Sequence, residues 1–115
     1  MRSFCGGVEG LRPDIVIVKG YCDKLDEATR HESKLVVLEC KDRDFEYWRS
    51  ELSTQVLEYA RYIGPVVIAS LKSVPEDIIE KWRKRGVVIV PNVRPGNEGG
   101  IRQLCEKIIK AVRAC

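Results

Sequence analysis

The sequence predicts a mixed α/β fold, a central sheet flanked by helices, and three observations carry that prediction. Short runs rich in β-branched residues recur along the chain, at Asp14–Val18, Leu35–Leu38, Val66–Ala69 and Val87–Val90, and runs of this length bounded by turn formers read as strands. Between the later runs lie segments whose apolar residues repeat every three or four positions, the spacing of one helical face. The two types alternate within 115 residues, a length that suits one domain and an order that suits strands joined by helical crossovers.

Residues 1–12 contain three glycines and no periodicity, and are expected to form an irregular arm. Pro13 stands at an acceptable strand entrance and Gly20 closes the first run. The stretch from Lys19 to Ser33 is polar, with seven charged residues and the only histidine, His31. A second buried strand follows at Leu35–Leu38 and runs on to Glu39 and Lys41, so the first two strands are expected to form a hairpin with a long tip. From Phe45 to Ile63 the residues Trp48, Leu52, Val56, Tyr59, Ala60 and Ile63 form one helical stripe. Asp44 is placed to cap its first turn, and Gly64-Pro65 to end it, with the glycine in a left-handed conformation.

Val66–Ala69 is the third strand, and Ser73-Val74-Pro75-Glu76 has the pattern of a capping box opening a helix to Arg85, stopped by Gly86. After the fourth strand, residues 94–100 read as a glycine-rich loop. The last helix carries the stripe Ile101, Leu104, Cys105, Ile108 and Val112, which should pack on the sheet and leave Arg102, Lys110 and Arg113 exposed. Strands three and four should be parallel. Trp48 and Trp82 occupy apolar helical positions and are assigned to packing.

Composition narrows the function. Apolar residues make up 44% and charged residues 32%, a globular balance, and no apolar run approaches the ~20 residues that span a bilayer. The first residues lack the apolar core of a secretory signal, which points to a cytoplasmic protein. Five cysteines, Cys5, Cys22, Cys40, Cys105 and Cys115, show no C-x-x-C spacing and are read as reduced. The net charge of +3 is uneven: residues 1–71 carry ten basic and twelve acidic side chains, residues 72–115 ten and five. The basic excess, which includes Arg94 and Arg102, suits a phosphate backbone or simply a solvated surface. Neither a G-x-x-x-x-G-K-[ST] nor a G-x-G-x-x-G string occurs.

The second strand poses the chemical question. Glu39 and Lys41 are two residues apart and so point to one face, and burying such a pair at the end of an apolar strand is costly without a partner or purpose. Pairing of the first two strands would bring Asp14 beside Glu39. Two converging carboxylates repel, and a hard divalent cation relieves that repulsion. The oxygens of Asp14, Glu39 and the Cys40 backbone carbonyl suit one.

Pro13-Asp14 followed by Glu39-x-Lys41 resembles the signature of the PD-(D/E)XK nuclease superfamily. The helix sequence Gln55-Val56-Leu57-Glu58-Tyr59 is similar to the Gln-x-x-x-Tyr motif of its RecB-like branch, and the resemblance covers roughly residues 12–70. It implies a single restriction-endonuclease-like domain and a Mg²⁺- or Mn²⁺-dependent deoxyribonuclease, most naturally an endonuclease. Asp14 and Glu39 would hold the metal together with the Cys40 carbonyl, and Lys41 would orient or help deprotonate the attacking water. Gln55 would position Lys41 or that water, and Tyr59, on the same helical face, would contact the DNA backbone. The family usually has a further acid on a preceding helix, for which Glu9 is the only candidate. Cutting both strands would call for a homodimer, and a larger protein or complex is a candidate source of specificity. The alternative is a non-catalytic module of the same fold that binds nucleic acid or a partner protein; a nucleotide-sensing domain is a third reading.

Overall fold

The computed structural model describes residues 13–19 and 34–114. Four strands form one sheet in the order β1 (Ile15–Lys19), β2 (Lys34–Lys41), β3 (Val66–Ser70) and β4 (Val87–Val90). β1 runs antiparallel to β2, with Ile15 opposite Leu38 and Ile17 opposite Val36. β2–β3 and β3–β4 are parallel, as expected for strands separated by a helical crossover. The central strands are apolar almost throughout because helices cover both faces.

α1 (Phe45–Glu51) continues through a π-helical turn, Leu52–Val56, into α2 (Leu57–Tyr62). These elements and α3 (Glu76–Arg83) cover one face of the sheet, where Phe45, Trp48, Leu52, Val56, Tyr59 and Trp82 pack on Val37, Val66, Ile68, Val87 and Ile89. Both tryptophans are core residues, as their positions in the helical pattern suggested. α4 (Glu98–Ala114) covers the other face, laying Leu104, Ile108, Ala111 and Val112 against Val36, Val67 and Val90. The result is a compact mixed α/β globule with a four-stranded sheet flanked by helices. Among the described residues, no helix is long and apolar enough to cross a membrane.

Several local expectations change. Asp44 does sit at the start of α1, but its side chain makes no capping hydrogen bond there. The helix that was to open with a Ser73 capping box begins at Glu76 instead, with Pro75 before it and no side-chain cap. Gly64 does not take a positive φ; it is glycine because a Cβ there would run into the Leu35 carbonyl. Gly86, by contrast, has φ +84° and makes the turn from α3 into β4.

The stretch read as a loop is one only over residues 94–97; Glu98, Gly99 and Gly100 already belong to α4. Asn97 Oδ1 accepts from the Gly100 N–H at 3.4 Å while Asn97 Nδ2 donates to the Asn92 carbonyl at 2.7 Å, so one side chain caps the helix and ties it to the loop after β4. A Cβ at Gly100 would collide with that same carbonyl. The packed stripe of α4 is also rotated from the expected one, since Ile101 is 42% exposed and Cys105 lies at the surface. The expected arm, the hairpin tip, His31 and three of the cysteines lie outside the described residues.

Candidate functional site

The strand register determines which side chains can meet. Because Ile15 lies opposite Leu38, the next pair outward places Asp14 beside Glu39, and both alternate onto the face that carries Val37 and the α1–α3 core. Two hydrogen bonds join the strands at this point. The Asp14 N–H donates to Glu39 Oε1 at 3.0 Å, and the Cys40 N–H donates to Asp14 Oδ2 at 2.9 Å. Each acid thus bonds to backbone across the strand pair, and in each carboxylate a second oxygen stands outside this exchange.

Lys41 completes the cluster. It follows Glu39 by two residues on the same face, and its Nζ lies 3.8 Å from Glu39 Oε2. A shorter contact, 2.6 Å, runs from Lys41 Nζ to Glu51 Oε1 at the end of α1. Glu51 was not singled out from the sequence. A signal was present, because it borders the apolar stripe between Trp48 and Leu52 and therefore had to reach the rim of the buried face.

The electrostatics follow from burial. Glu39 is 4% exposed, and its carboxyl is held above the ordinary value, first by desolvation and then by the neighbouring Asp14 and Glu51 charges. The Asp14 backbone N–H and Lys41 pull in the opposite direction. Cys40 points to the α4 side of β2 and its thiol is also pushed up, chiefly by burial and by the same two carboxylates, Asp14 and Glu39. One acidic group of this centre therefore ionises reluctantly, and one ammonium is shared between two acids.

The remaining expected site residues are not gathered here. Tyr59 is fully buried in the core beneath the sheet, so the expected contact with a DNA backbone is corrected to a packing role. Gln55 is exposed on the π-helical turn. The two do not share an exposed face: Tyr59 packs into the core with Leu52 and Val56, while Gln55 faces solvent. Arg94 is exposed in the loop beyond β4, at the edge where the three parallel strands end. Arg102 is exposed on α4, across the sheet from Glu39 and Lys41. Glu9 lies outside the described residues.

Chemically, the centre offers carboxylate oxygens and a backbone carbonyl to a hard cation, and an ammonium to an anion beside it. Among the described residues, no group of three or more His, Cys, Asp or Glu side chains is arranged to hold a metal ion. A cation at this point would rest on Asp14, Glu39, the Cys40 carbonyl and water, the sparse protein ligation that Mg²⁺ usually accepts. What fold and site define together is an α/β protein with a carboxylate–ammonium cluster at the C-terminal end of a central strand. Comparison with family models, curated proteins and solved structures finds no match.

Proposed function

We propose that this protein is a metal-dependent nuclease that hydrolyses DNA phosphodiester bonds, acting as an endonuclease. One observation carries the reading: Asp14, Glu39 and Lys41, distant in sequence or on different strands, come together at one strand end with the ammonium 3.8 Å from the buried carboxylate. The order of elements supports it too. An antiparallel pair bearing the acids and the lysine, then a helix and a parallel strand, is the arrangement expected of a restriction-endonuclease-like domain.

In this reading Asp14, Glu39 and the Cys40 carbonyl would hold Mg²⁺ or Mn²⁺. The chemistry such a cation supplies is polarisation of a phosphoryl oxygen and a more acidic water. Lys41 places positive charge where the pentavalent phosphate gathers negative charge, and it orients the attacking water. Glu51 holds the ammonium in position. Burial holds the proton on Glu39 to higher pH and a bound cation would compete with it for the carboxylate, so activity should rise as the pH passes upward through the Glu39 titration.

The test is incubation of the purified protein with branched, single-stranded and duplex DNA in Mg²⁺ and in Mn²⁺, beside Glu39→Gln and Lys41→Ala. Cleavage by the wild type that both substitutions abolish is the expected result. Cleavage that survives both rejects the site, and no cleavage of any substrate rejects the activity. A homodimer would supply two such centres for a double-strand cut, and light scattering gives that answer directly.

A second reading is favoured by a specific contact. Lys41 lies closer to Glu51 than to Glu39, and a lysine neutralised in this way suits a non-catalytic module that binds nucleic acid or a protein. DNA binding that persists without any calorimetric sign of divalent-metal binding would favour it.

A further inference from the structure

The end of β2 leads directly into a second surface feature. Arg43, Asp44, Tyr47 and Lys72 line an open depression of about 320 Å³. Tyr47 is 68% exposed, the most exposed of the large hydrophobic side chains among the described residues, and the Arg43 guanidinium lies 5.6 Å from its ring centroid. Such a ring costs hydrophobic free energy to leave in water, and here it is flanked by two cations and one acid.

The depression is fixed close to the carboxylate cluster. Arg43 follows Lys41 by two residues, which span at most about 7 Å of backbone. Lys72 is brought in by β3: the Leu71 N–H donates to the Lys41 carbonyl at 2.8 Å, and the Lys72 carbonyl accepts from Ser70 Oγ at 2.8 Å and from the Asn92 N–H at 3.2 Å. The platform is therefore built on the ends of three neighbouring strands. On its other side lies a depression with the opposite balance, lined by Asp44, Glu46 and Asp77 against a single Arg49. A polyanion leaving the cluster is repelled there and attracted over Arg43 and Lys72.

We infer that Arg43, Tyr47 and Lys72 form a binding platform for an unpaired segment of nucleic acid, in which Tyr47 stacks a base and the two cations hold adjoining phosphates. Exposed aromatic rings interleaved with cations are the means by which proteins grip single strands, because every base offers a stacking face that a duplex hides. The inference rests on the nuclease reading only for the direction in which the strand runs, from this platform to Lys41.

The experiment measures binding of a dye-labelled oligothymidylate by fluorescence anisotropy without divalent metal, so that no cutting intervenes. The three side chains are exposed, and circular dichroism checks that their variants stay folded. Tyr47→Ala should weaken binding roughly tenfold, within the range that loss of one stacked base produces, while Tyr47→Phe keeps wild-type affinity. Replacing Arg43 and Lys72 together by Ala should flatten the dependence of log affinity on log salt by about 1.4, at roughly 0.7 per phosphate contact on a single strand. Arg113→Ala, on α4, should change neither. Affinity and salt slope unchanged in all platform variants overturn the inference. So does a preference for duplex that is indifferent to Tyr47, which would make the surface a phosphate contact alone. Platform-dependent binding without cleavage leaves the inference standing and removes the nuclease; Glu39-dependent cleavage with platform-independent binding does the reverse.

Discussion

The two faces of the sheet are built to different specifications. The face under α1, α2 and α3 holds four aromatic residues, Phe45, Trp48, Tyr59 and Trp82, locked among buried aliphatic side chains. Phe45 and Trp48 meet edge to face with centroids 4.9 Å apart, and the Trp48 indole N–H donates to the Arg43 carbonyl at 3.2 Å. The face under α4 has three fully buried valines, Val36, Val67 and Val90, and is otherwise closed by side chains that remain partly wet. The charged cluster sits at the rim of the first face. The same dense packing that excludes water from Glu39 also holds the helix that presents Glu51, so support and perturbed ionisation have one cause.

This contrast is most open to attack through the cores. Trp48→Ala should cost about 3–5 kcal/mol in urea denaturation, as large-to-small changes at buried aromatics do. Leu104→Ala, at a partly buried position of α4, should cost no more than about 2 kcal/mol, in proportion to the smaller apolar area it removes from contact. Equal costs would abolish the distinction between the faces.

Glu39 sharpens the contrast, since only the densely packed face should strain a carboxylate. The unfolded carboxyl titrates near 4.5 and the folded one above it, so the native chain retains the proton to higher pH. The stability contributed by this group is full below 4.5 and is lost as pH rises through the folded pKa. Glu39→Gln should abolish that decline and make the variant comparatively more stable at pH 7, as seen by denaturation at a series of pH values. Parallel pH curves for the two proteins would show that burial does not act on Glu39.

A smaller effect is expected at Glu51, where Glu51→Gln should destabilise by less than about 1 kcal/mol, the usual worth of a partly exposed ion pair. Its nearest effect should be on Lys41, which is left with Glu39 as its acidic partner. The least effect belongs outside both cores: the Arg83–Glu80 pair is exposed on α3, and Glu80→Ala should leave the melting temperature unchanged.

The inner strands were legible because burial on both sides makes them continuous apolar runs, the edge strand β1 because its run is β-branched between Pro13 and Gly20, and the Asp14–Glu39 meeting because strand pairing offers few registers. Reading Gln55 and Tyr59 as one exposed face failed because Tyr59 belongs to the apolar stripe with Leu52 and Val56, and spacing alone does not tell a core aromatic from one that faces solvent. The start of α4 was hidden by composition: Gly99 and Gly100 look like loop residues, and only the approach of the Asn92 carbonyl explains why a helix needs a glycine there. Glu51 was missed because charge on a helix usually means solvent, and its use depends on Lys41 arriving from a strand ten residues earlier.

The crossed hydrogen bonds between Asp14, Glu39 and Cys40 have a spectroscopic corollary. Two amide protons end on the oxygens of the two acids, so their chemical shifts and their deuterium-exchange rates track the charge on those acids. Protonating a carboxylate weakens it as an acceptor and drawing it onto a cation redistributes its lone pairs. The amides of Asp14 and Cys40 are thus native probes of whatever occupies this end of the sheet, legible by nuclear magnetic resonance without a label or a substrate.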